Sequence, residues 1–144
     1  MIVLLTSDYI TLSNLEFMDS EHLSEIHLIN RLYEILHHDL LIGIVYPEVK
    51  ECLERLVRET RDHFAHEEKL MEERNYPELV PHRRKHLEFM KVLETASEEF
   101  IRTKDRKQLR HFMEEVLRDW FIKHLRTEDR RLAEFSRQAR SRPT

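Results

Sequence analysis

The sequence has a single glycine and only four prolines in 144 residues. Sheet turns draw heavily on both, so a β-sheet has almost nothing to turn with, and long helices are favoured instead. One cysteine, Cys52, excludes an internal disulfide. Its neighbours Val49, Leu53 and Leu56 fall at helical spacing, which makes it a small core residue and fits a reducing compartment. Long apolar runs are missing too. Ile2 to Leu5 is far shorter than a signal-peptide core and lacks a basic lead, and no stretch nears the roughly 18 apolar residues that a membrane span requires. There is no large excess of one charge: the net is −4 and the pI near 6.2, leaving no electrostatic case for nucleic acid or an anionic lipid surface. The expectation is a soluble, cytoplasmic protein whose partner is neither.

What is present is charge and hydrophobicity in helical register. With 40% hydrophobic and 36% charged residues, the chain is long enough for one core and reads as a single domain, 1–144. After an irregular N-terminal arm, 1–18, Asp19 or Ser20 can cap a helix of 20–38 whose stripe is Leu23, Ile26, Ile29, Leu32 and Leu36. The segment LLIGIVYP interrupts. Val49, Leu53, Leu56, Thr60, His63, Glu67 and Leu70 then line one face of a helix of 47–74. An Asn75–Pro77 turn leads to a third helix, with Leu79, His82, His86, Phe89 and Leu93 inward, fading near 102. Asp105 caps the last, striped by Leu109, Phe112, Val116, Trp120 and His124 and reaching 135, before a basic, frayed tail of 136–144. Four helices with short connections predict an all-α, up-down-up-down antiparallel four-helix bundle.

The informative excess is histidine, ten in all, several on stripes that should face the core. A buried imidazole is costly unless it has a partner. On a helix, residues four apart differ by only about 40° in direction, so both can reach one site. His82 with His86 and His63 with Glu67 meet that rule, and imidazoles with bridging carboxylates suit iron, manganese or zinc in a bundle interior. His-x-x-x-Glu also occurs at His111 and His124, so no single pair is telling. The conjunction is: each predicted helix contributes from its apolar face, His22 from the first, His63 and Glu67 from the second, His82 and His86 from the third, His124 from the fourth.

The strings MDSEHLSEI, HFAHEEKLM, HRRKH and WFIKHLRTED, in that order and spacing from about 17 to 135, resemble the four helical signatures of hemerythrins and bacterial hemerythrins. The resemblance implies seven ligands for two iron ions, Fe2+ or Fe3+ with an oxo or hydroxo bridge: His82, His86 and His124 on one, His22 and His63 on the other, Glu67 and Asp129 across both. It further implies that the two-histidine iron keeps an open position where dioxygen binds reversibly by two-electron transfer, in an oxygen carrier, store or delivery protein rather than an enzyme. No protein acid or base is required, and apolar walls keep water and anions out.

Two residues depart from simple expectation. Periodicity alone pairs His124 with Glu128, because Asp129 at i+5 points about 140° away on an ideal helix. The family uses i+5, so the reading takes Asp129 and expects a local helix distortion or an off-axis reach. Phe121 stands where many relatives carry Leu, and with Trp120 it is a candidate wall of the oxygen pocket. Glu68 and Asp19 are candidate orienters of ligand imidazoles, with N-capping an equal role for Asp19. His27, His37, His38, His66 and His111 read as exposed or helix-end residues. The alternatives are a peroxidase-like or nitric-oxide-handling di-iron enzyme, and an oxygen or redox sensor acting through a separate partner. A ferritin-like oxidase needs Glu-x-x-His on two helices, and only Glu34 to His37 fits.

Overall fold

In the computed structural model, residues 3–6, 16–37 and 42–141 are described, with side chains placed for 3–6, 19–37 and 46–138. Among them there are four helices and no strand. α1 is Glu16–Leu36, α2 Ile42–Glu73 and α3 Leu79–Thr103. α4 runs without a break in helical dihedrals from Arg106 to Ser141, and two π-helical stretches, Met113–Leu117 and Leu125–Asp129, lie within it. α1 packs on α2, α2 on α3, α3 on α4, and α4 on α1, closing a ring of four.

The junctions follow their local chemistry. Asn75 adopts the left-handed conformation after α2, and Tyr76 N–H bonds back to the Met71 carbonyl at 2.9 Å, so the last carbonyls of α2 find donors. Lys104 closes α3 in the same way, and the Asp105 side chain accepts from Gln108 N–H, capping α4 as the sequence predicts.

Several expectations need correction. α1 begins at Glu16, so Asp19 and Ser20 lie inside the helix rather than capping it; an acidic residue is as welcome in a first turn, beside free N–H groups, as at the cap. The arm is shorter than 1–18, and its residues Leu4 and Leu5 are tied down, both donating N–H to the Asn30 side chain. α2 starts five residues early and carries Pro47 within it, leaving one carbonyl of the first turns without its helical donor. α4 continues as helix through Ser141, so 136–141 is not a frayed tail: Leu132 and Ser136 are fully buried and hold it to the fold. Residues 142–144 of the expected tail, and His38, fall outside the described residues.

Two stripes also shift. Leu23 is exposed while Ile26, Ile29, Leu32 and Leu36 are buried. In α4, Leu109 and His124 are buried as expected and Phe112 and Trp120 partly so, but Val116 faces solvent and Met113, Leu117, Phe121 and Leu125 are buried, the first π turn moving the apolar face by one residue. A large apolar cluster spans all four helices, and a smaller one joins Met71, Tyr76, Leu132 and Ala133. Along α2, α3 and α4, the buried Glu67, His82, His86 and Asp129 fall in sequence between residues of the two clusters.

Candidate metal centre

His22 on α1, His63 and Glu67 on α2, His82 and His86 on α3, and His124 and Asp129 on α4 are all buried and converge on one place. Their candidate donor atoms form two groups, each with its atoms within 4.8 Å of one another: His82, His86 and His124 in one, His22 and His63 in the other, with Glu67 and Asp129 in both.

The two carboxylates divide their oxygens between the groups. Glu67 Oε1 lies 3.1 Å from His86 Nε2 and 3.4 Å from His82 Nε2, while Oε2 lies 2.5 Å from His63 Nε2 and 3.8 Å from His22 Nε2. Asp129 Oδ1 lies 3.0 Å from His124 Nε2 and 3.2 Å from His82 Nε2, and Oδ2 3.1 Å from His22 Nε2. A carboxylate with one oxygen toward each of two nitrogen clusters has the geometry of a bridge between two cations.

The donor set also fits cations on its hydrogen-bond balance. Glu67 Oε1, Asp129 Oδ1 and the Nε2 atoms of His82, His86 and His124 are buried and lack hydrogen-bond partners, all on the three-histidine side. Orphaned buried polar atoms cost on the order of 1–3 kcal/mol each, a debt that a cation among them removes. Electrostatics agree. Burial opposes charge on His124, yet the Asp129 carboxylate outweighs it and lifts the imidazole pKa to about 10. Burial likewise opposes charge on His63, but Glu25 and Glu67 raise it well above its usual value. Burial raises both Glu67 and Asp129, and the Asp129 charge raises Glu67 further, yet the surrounding imidazoles hold each well below the carboxylate range. Metal-free, the cluster keeps its negative bridges by retaining protons on histidine.

The π stretch Leu125–Asp129 accounts for the spacing in α4. π-helical hydrogen bonds join residues five apart, so His124 and Asp129 come onto one face. The expected distortion is therefore present, and Glu128 is not idle: its Oε2 lies 3.5 Å from His124 Nδ1, and His124 holds the Glu128 carboxyl down at about 2.

Remote nitrogens of two more imidazoles meet carboxylates. Glu68 Oε2 lies 3.3 Å from His86 Nδ1, the orienting position the sequence suggests. Glu25 was not foreseen: its Oε1 lies 2.6 Å from His63 Nδ1, and the side chain is fully inside. The available signal was His22-x-x-Glu25, a charge one turn along the inner face of α1 from a candidate ligand. Trp120 stacks on His124 at 4.3 Å and on Phe89 at 3.9 Å, and the Phe121 ring stands 6.3 Å from that of His22. A cavity of about 10 Å³, room for one water-sized guest, is lined by His22, Glu25, His63, Trp120, Phe121 and Leu125 among others. His27, His37, His66 and His111 join neither group, and neither does Glu34. Among the described residues, no helix is long and apolar enough to cross a membrane.

Known proteins are similar to this chain over most of its length. A family model described as hemerythrin HHE cation binding domain matches residues 13–135. The bacteriohemerythrin of Stenotrophomonas maltophilia is 28% identical over 120 residues, covering 83% of this chain and 73% of that protein. That of Aquifex aeolicus is 27% identical over 109 residues, covering 76% and 79%. The myohemerythrin of Theromyzon tessulatum is 29% identical over 87 residues, covering 58% and 62%. No solved structure matches.

Proposed function

The chain belongs to the hemerythrin family, and from that premise we propose that it is a non-haem di-iron protein that binds dioxygen reversibly, a binding protein rather than an enzyme. In this reading the chain is one domain, an up-down-up-down antiparallel bundle working in the cytoplasm. Two iron ions, linked by an oxo or hydroxo bridge, are held by His22, His63, Glu67, His82, His86, His124 and Asp129. The observation that carries the reading is the division of oxygens on Glu67 and Asp129 between a three-histidine and a two-histidine group. Five side chains would face a cation in the three-histidine group and four would face one in the two-histidine group, so the second would keep a position to spare.

The iron pair, when bound, supplies the two electrons that dioxygen accepts and returns. The chain does the rest. Glu25, Glu68 and Glu128 fix which nitrogen of His63, His86 and His124 turns inward. Phe121, Leu125 and Trp120 line the small cavity beside His22 and His63 with carbon, which favours a small neutral guest over an anion.

The test is the ultraviolet-visible spectrum of iron-loaded, anaerobically reduced protein, with iron counted per chain. Two irons, and visible charge-transfer bands that rise with oxygen and fade when it is pumped away, are the expected result. Irreversible oxidation on first exposure would favour a di-iron redox enzyme or a sensor, and fewer than two irons would overturn the reading altogether.

A further inference from the structure

Three carboxylates stand behind the ligand imidazoles, one each from α1, α2 and α4, and they differ sharply in setting. Glu25 is 3% exposed and sits 2.6 Å from His63 Nδ1. The Glu128 side chain is 18% exposed, 3.5 Å from His124 Nδ1. Glu68, 24% exposed and 3.3 Å from His86 Nδ1, is ion-paired to Arg83 at 2.8 Å. The Glu128 contact is an ion pair alone, since His124 Nδ1, like His82 Nδ1, is buried with no hydrogen-bond partner. The centre therefore carries three carboxylates beyond its two bridging ones, graded from the deep Glu25, facing His63, to the shallow Glu68, paired with Arg83.

From this arrangement, and resting on the di-iron reading above, we propose that Glu25, Glu128 and Glu68 tune the centre toward its oxidised state, with Glu25 dominant. The effect is electrostatic. Losing two electrons raises the charge of the metal pair, and a fixed anion a few ångströms away, in a medium that screens poorly, favours the more positive state. A carboxylate that accepts an imidazole N–H also makes that ring a stronger donor to the metal, in the same direction. No bond is made or broken in the protein; two electrons pass between the pair and an external mediator. Solvent and Arg83 weaken the outer two charges, so the order is Glu25, then Glu128, then Glu68. Glu25 also lines the cavity, which Glu128 and Glu68 do not.

The experiment is mediated spectroelectrochemistry of iron-loaded wild type and the variants Glu25→Gln, Glu128→Gln and Glu68→Gln, with iron content and helical circular dichroism read on each. Gln keeps an oxygen for the imidazole N–H and removes only the charge. The expected result is two irons in every variant and midpoint potentials that rise in the order Glu68→Gln, Glu128→Gln, Glu25→Gln. For the last, the reduced-to-oxidised ratio at fixed ambient potential should increase by about tenfold. Unmoved potentials with both irons in place would overturn this inference and leave the di-iron reading intact, whereas a wild type that fails to load two irons would overturn both. Should Glu25→Gln shed iron, the other two variants decide the question: potentials that rise in the stated order support it, and unmoved ones overturn it.

Discussion

Helices α2 and α3 present their candidate ligands from uninterrupted α-helix, four residues apart, whereas α4 presents His124 and Asp129 across a π turn, five apart. The difference changes what each helix offers. His63 with Glu67 and His82 with His86 each bring two side chains to the centre from one regular face. The π turn instead places two consecutive carboxylates around one imidazole, Asp129 at Nε2 and Glu128 at Nδ1. A regular helix at that point would offer one carboxylate and turn the other roughly 100° aside. One inserted residue thus gives α4 both a bridging candidate and the group that orients its neighbour.

The largest effect should come from separating those two roles. Asp129→Ala removes an oxygen from each cation group, and at least one iron per chain should be lost on iron titration. Glu128→Ala should retain both, because its carboxylate faces only the remote nitrogen of His124. Equal losses from the two variants would show that α4 does not divide the work as its geometry indicates.

Next comes pH. In the metal-free protein His124 binds its proton more tightly folded, with a pKa of about 10, than unfolded, near 6.5. Its contribution is therefore complete below about pH 6.5 and lost as pH rises toward 10, on the order of a few kcal/mol. Urea midpoints of the metal-free wild type should fall across that window. Asp129→Asn, which takes away the main charge holding the proton, should flatten the fall, and a wild-type profile that stays level would refute the assignment.

Legibility in the sequence tracked this contrast. The pairs in α2 and α3 could be read from spacing, as could the Asp105 cap and the turn at Asn75, because each obeys a local rule. Asp129 could not. A π turn has no residue signature of its own, so only the resemblance to relatives favoured Asp129 over Glu128. The first π turn likewise hid Leu117 behind Val116. Glu25 escaped for another reason: a glutamate on an amphipathic helix reads as solvated, and only the opposite helix, which brings His63 to it, makes it internal. Asp19 and Ser20 misled by being good caps in a place where the helix had already begun.

A deletion sharpens the comparison at smaller cost. Removing the exposed Arg126 should collapse the second π turn into α-helix, setting Asp129 four residues after His124, as Glu67 follows His63. Downstream residues keep their register, so both irons should stay and stability should change by about 1 kcal/mol or less, read by iron content and urea melts. Loss of iron would mean that α4 needs the π turn for more than bringing Asp129 inward.

The smallest effect tests whether adjacency in sequence counts for anything on α2. His66 immediately precedes Glu67, yet its side chain is 58% exposed and its Nδ1 meets Glu21 Oε1 at 2.6 Å on the surface. An exposed pair of this kind is screened by water and salt and contributes between nothing and about 1 kcal/mol. His66→Ala should therefore keep two irons per chain and shift the urea midpoint by an amount equivalent to about 0.5 kcal/mol or less. His111→Ala, exposed on α4 before either candidate ligand there, should behave the same way. If His66→Ala lost iron, position on a helix face would have failed to separate a ligand from its neighbour, and the assignment of His63 and Glu67, which rests on that separation, would fail with it.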